Sequence, residues 1–197
     1  MQIGDERTRG LPVINIDQPT GLYDGNRAMT VQTYNEANSK NGKNFELSAL
    51  FENVSTGTPI KAIFLTGNLP VILKSRTFGY TGSAIQADVF TGPTYTGGTA
   101  STIYNTNDIN PVASTVTILQ GATITDDGIQ LAASTYLLGG TKNQDKGSAS
   151  ISSGTEYVFK PNTAYLFSVQ SLDSATQDIA VHNGWYEAEP DLPLEEV

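Results

Sequence analysis

Ala84-Ile85-Gln86-Ala87-Asp88-Val89-Phe90 settles the fold class of this chain. Ile85, Ala87 and Val89 fall on one side of an extended backbone and Gln86 and Asp88 on the other, because successive side chains of a strand point to opposite faces. One face is apolar and the other is expected to be wet. The same period of two groups Tyr165, Phe167 and Val169, and further on Ile179, Val181 and Trp185, as core positions.

Working outward, short strand-like runs alternate with turn chemistry. Residues 45–54 end at Ser-Thr-Gly-Thr-Pro. Residues 60–66 end at Gly67-Asn68, and residues 69–75 follow at once, as the partner in a hairpin would. Residues 116–124 and 135–138 are further strands with Asp126-Asp127-Gly128 between them, and residues 157–159 precede Pro161-Asn162. Spacings of this kind belong to an antiparallel β-sandwich, jelly-roll-like in form. No segment carries ten residues of helical period, although residues 107–112 could make a single turn, and there is no repeat of solenoid or propeller length. Abundant Thr, Ser, Gly, Asn, Tyr and Val, with few of the strong helix formers, point the same way.

The first 43 residues lack a sustained apolar period and are punctuated by Pro12, Pro19, Gly21 and Asp24-Gly25-Asn26. They read as an arm with short strands at residues 11–16 and 28–34, closed by a turn-rich hinge over residues 35–44. The sandwich body is expected over residues 44–188, and residues 189–197 form an acidic, extended tail. With 197 residues, one β domain is the natural size, and in the absence of cysteine its stability rests on packing rather than disulfides or thiolate–metal sites. The charged start and the lack of a long apolar run predict a soluble protein made in the cytosol. Twenty acids against 11 bases give a formal charge of -9, which opposes binding to nucleic acid or to an anionic membrane and suits a basic protein surface.

The chain offers little for catalysis. Its single histidine, His182, alternates away from Val181 onto an outer face or strand end, a poor start for a nucleophilic triad. Asp88, Asp126, Asp127, Glu156 and Asp173 are the carboxylates available for glycoside chemistry, but most sit in turns or at strand ends. Asn105, Asn107, Asp108 and Asn110 place several oxygens in one loop without the spacing of a calcium hand, and the same residue types make Asx turns. The glycine-rich pieces 92–98 and 139–140 precede no helix, so they lack the context of a phosphate-binding loop. Lys40, Lys43, Lys61, Lys74 and Arg76 are dispersed among acids rather than clustered as a phosphate-binding surface requires. Tyr80, Phe90, Tyr95 and Tyr104 could line a sugar- or protein-binding face, or simply serve as core and rim. No cofactor and no metal is expected.

Four segments in order, 92–99 (GPTYTGGT), 104–111 (YNTNDINP), 160–166 (KPNTAYL) and 185–193 with its WYE and PDLP pieces, resemble a family of tailed-bacteriophage virion structural proteins of the head-decoration or auxiliary-capsid type. The resemblance implies a jelly-roll-like domain, non-enzymatic, that oligomerises on the virion surface and acts as a cement protein. Its partners would then be the major capsid protein and further copies of itself, a trimer being the simplest symmetric form. Contacts are expected from Leu11, Val13 and Ile14 in the arm and from Trp185, Tyr186, Leu192 and Leu194 at the other end. The alternative is a tail or head-fibre module that binds a receptor or carbohydrate, with a glycan hydrolase ranking last.

Overall fold

The computed structural model describes residues 34–139, 148–151 and 156–187. Two antiparallel sheets pack face to face as a sandwich. In one, β3 (Val71–Tyr80), β15 (Gln177–Glu187) and β1 (Asn44–Val54) lie side by side; β12 (Ser148–Ile151) and β13 (Tyr157–Phe159) flank β3, and β7 (Tyr104–Asn105) flanks β1. In the other, β4 (Ala84–Thr91), β14 (Ala164–Ser171), β2 (Ile60–Leu65), β8 (Thr117–Gln120) and β6 (Thr99–Ala100) follow in that order, and β10 (Ile129–Gln130) and β11 (Thr135–Leu138) pair with the outer side of β4. A two-stranded ribbon joins β5 (Thr94–Thr96) to β9 (Thr123–Asp126).

The alternation expected from residues 84–90 is present: Ile85, Ala87 and Val89 are buried between the sheets, as are Tyr165, Val169, Ile179 and Trp185. The opposite face of that sheet departs from expectation. Ile63 and Leu166 lie on it and are both fully buried, and Gln86 and Asp88 are half-buried and hydrogen-bonded to each other at 2.8 Å. The turn after β9 reaches this sheet, where Asp127 Oδ1 accepts from Lys61 Nζ at 2.6 Å.

Three further expectations change. Residues 60–66 and 69–75 do not form a hairpin, because Gly67 to Pro70 carries the chain from one sheet to the other and β2 pairs with β14 while β3 pairs with β15. The run 116–124 is broken by Gly121, whose φ of 68° turns the chain out of the sheet between β8 and β9. The hinge expected over residues 35–44, and the end of the strand expected over 28–34, instead contain α1 (Tyr34–Lys40), steadied by Lys40 Nζ to Glu36 Oε1 at 2.7 Å one turn apart. The turn expected over 107–112 is a bend without helix. Asp126-Asp127-Gly128 does make a tight turn, with Gly128 at φ 84° and its N–H donated to Asp126 Oδ1 at 3.0 Å.

Candidate functional site

The single histidine, His182, is the first candidate for chemistry. It projects from β15 onto the outer face of its sheet, where Ser48 Oγ lies 2.8 Å from His182 Nδ1 and Glu46 Oε2 lies 3.9 Å from Nε2. Register explains the grouping, since Ser48 pairs with His182 and Glu46 with Gly184 on the adjacent strand. A hydroxyl, an imidazole and a carboxylate are thus brought together, but on an open sheet face. The carboxylate is beyond hydrogen-bond reach, and Ser48 sits in regular strand rather than at a turn that would aim amide N–H groups at a reacting oxygen.

The remaining chemical candidates serve structural contacts. Asp127 pairs with Lys61 and Glu156 with Lys74. Asp126 caps its own turn, and Asp88 accepts from Gln86 and from Gln130 at 3.4 Å. Asp173 accepts backbone N–H groups from Ala175 at 3.1 Å and Ser83 at 2.7 Å, which holds its carboxyl below the ordinary value. The Asn105–Asn110 loop acts as a clasp. Asn107 Nδ2 donates to the Ser39 and Lys40 carbonyls at 3.0 and 2.9 Å, satisfying the end of α1, while Asn107 Oδ1 accepts from Ile109 and Asn110. Among the described residues no group of three or more His, Cys, Asp or Glu could hold a metal.

One side edge of the sandwich carries a different property. β10 and β11 end one sheet and β13 ends the other; on β11 Tyr136 and Leu138 share the outer face of their sheet, exposed by 60% and 80%, with Ile129 on β10 exposed by 75%, whereas Val158, paired with Ile72, lies on the outer face of the opposite sheet, exposed by 58%. Leu131 and Leu172 add smaller exposures beside them. Each of these strands is short and, among the described residues, pairs on one side only, so apolar side chains and open backbone groups occur together. Scattered exposed apolar residues are ordinary, whereas Tyr136 and Leu138 together on an open sheet edge mark a surface that other chains can cover.

Of the residues expected at an interface, Leu11, Val13, Ile14, Leu192 and Leu194 lie outside the described residues. Trp185 and Tyr186 are inside the fold: Trp185 is 1% exposed in the core against Phe45 and Phe64, and Tyr186 is buried beside Ile72 on the other face of its sheet. Their large apolar surfaces are used within the chain, so neither is available to a neighbour. Glu187 is a structural residue the sequence hid. It is 2% exposed and accepts from Ser114 Oγ at 2.5 Å, Thr115 N at 2.8 Å, Thr115 Oγ1 at 2.6 Å and Trp185 Nε1 at 3.3 Å, yet in the sequence it looks like the first acid of an acidic tail.

No known protein family, curated protein or solved structure matches this chain.

Proposed function

We propose that this protein is a non-enzymatic structural component of a tailed-phage virion, a decoration or cement protein that binds the major capsid protein and further copies of itself. The observation that carries the proposal is the open sheet edge at β10 and β11, with exposed Ile129, Tyr136 and Leu138. Such an edge, on a cysteine-free chain of net charge -9, favours docking onto a basic, partly apolar protein surface. A jelly-roll form for the body is supported by the strand orders β1-β15-β3-β13 and β2-β14-β4-β11, in which consecutive strands of the set alternate between the sheets except for β4 and β11, which pair with each other. Affinity multiplied over many copies on a particle can be modest at each contact.

The test is to mix purified protein with expanded, undecorated capsids, sediment the particles and challenge them with heat. Binding in many copies with raised particle stability is the expected result, since a ligand of the assembled state stabilises it. Removal of residues 1–34 should leave a folded body that no longer attaches, and Leu138→Asp together with Tyr136→Asp should weaken attachment without unfolding it. Binding to host cells or tails instead would favour the receptor- or carbohydrate-binding alternative, for which exposed Tyr104, beside Glu46 on the outer sheet face, is the supporting feature.

A further inference from the structure

The sandwich core is not continuous. Between its two packed halves runs a narrow cavity of about 50 Å³, walled mainly by apolar side chains, including Leu47, Ala49, Ala62, Phe64 and Phe167. Along β1 it is walled by Leu47, Ala49 and Phe51, beyond the two positions, Phe45 and Glu46, that β7 covers. Ala49 and Ala62 there are half-buried.

The other end is polar. Arg76 on β3 and Asn183 on β15 are direct register partners and both line the cavity, at 7% and 6% exposure. Arg76 Nη2 donates to Tyr157 Oη at 3.1 Å and its guanidinium lies 4.5 Å from the centre of the Tyr157 ring. These contacts orient the group but bring no negative charge, and among the described residues no carboxylate lies within ion-pairing distance of it. The Asn183 side chain makes no hydrogen bond among the described residues. Among the described residues neither side chain has an ion-pair partner, and the two stand side by side lining the same space.

We infer that the cavity is a binding site for a slim amphiphilic carboxylate, with its head on Arg76 and Asn183 and an unbranched alkyl body running between the sheets toward β1. The head chemistry follows from the donors. A guanidinium fork matches the two oxygens of a carboxylate, and the Asn183 amide supplies a further N–H. The body follows from the walls: β1 lies two strands from β3, roughly 10 Å away at ordinary strand spacing. A channel this narrow admits a linear chain and rejects rings and branches.

Hexanoate is the probe, titrated into the full-length protein while the fluorescence of Trp185 is recorded. Trp185 is the single tryptophan of the chain and packs edge-on against Phe64 of the cavity wall at 5.4 Å. A saturable change with a raised unfolding temperature is expected, with 1-hexanol and cyclohexanecarboxylate at least tenfold weaker. Arg76→Met should fold at least as stably as the parent, because an unpaired buried charge is exchanged for an apolar side chain of similar length, and should lose hexanoate binding at least tenfold. Asn183→Leu gives a second variant, with a smaller loss. No saturable response to hexanoate would overturn the proposal. Equal binding by 1-hexanol, or undiminished binding by Arg76→Met, would overturn it as well.

Discussion

The two ends of the sandwich are held by different means. At one end Phe45, Phe64, Phe159, Tyr165 and Trp185 form a nest of rings, with Phe159 stacked on Tyr165 at 4.2 Å and Phe64 edge-on to Trp185. At the other the core is smaller, with Val54, Ile85, Ala87, Val169 and Ile179 around Phe78 and Tyr80. Polar reinforcement differs in the same sense. The aromatic end has the buried Glu187 carboxylate accepting from Ser114, Thr115 and Trp185, whereas the aliphatic end leaves the Tyr80 hydroxyl buried without a partner among the described residues. It is pinned instead by Gln177, which accepts from Gly82 N at 2.9 Å and donates to Ala84 O and Ser171 Oγ at 2.9 and 2.7 Å. The aromatic end is built to resist change, and the aliphatic end tolerates it.

Substitutions can break that contrast. The largest effect is expected from Trp185→Ala, which empties the centre of the aromatic nest and should cost about 4 kcal/mol in urea unfolding. Glu187→Ala comes next at about 3 kcal/mol, because it strands the donors of Ser114, Thr115 and Trp185. At the other end Asp173→Asn should cost less, and its cost should depend on pH. The Asp173 carboxyl is depressed by backbone N–H groups of Ala175 and Ser83. Its contribution is therefore complete above the ordinary carboxylate value of about 4 and is lost as pH falls through the lower native value. Comparing the stability of parent and variant between neutral pH and pH 2 checks this, since the two should converge in acid. Tyr80→Phe should be neutral or gain up to about 1 kcal/mol, since it removes an unpaired hydroxyl that burial also holds in its neutral form by raising its pKa. A loss as large as that of Glu187→Ala would show the two ends to be alike after all.

Much of the sandwich was legible because alternation survives translation into structure. The run 84–90, the Tyr165-Phe167-Val169 set and the last strand all placed their apolar residues correctly. Turn chemistry was less informative. Gly67-Asn68 announces a change of direction but not a change of sheet, so β2 and β3 looked like a hairpin. The burial of Arg76 and Asn183 went unread for a simpler reason, that their types suggest surface. Period already held the answer, because Arg76 shares parity with the buried Phe78 and Tyr80, and Asn183 with Val181 and Trp185. Glu187 left no such trace, since its partners Ser114 and Thr115 are more than 70 residues away in the chain. The exposed edge was equally hidden, as Ile129, Tyr136 and Leu138 read like any strand residues until the sheet is seen to stop there.

The place of β15 between β1 and β3 has a kinetic consequence. Residues 44 and 186 are direct partners, so the middle of that sheet stays vacant until nearly all of the body has left the ribosome. The two strands that wait on either side are exposed to wrong pairing throughout synthesis, and closing so long a loop makes correct assembly slow. Once β15 is seated, however, it is hydrogen-bonded along both sides and cannot fray from one edge. Opening then requires both ladders to be lost together, which favours a long native lifetime over rapid folding.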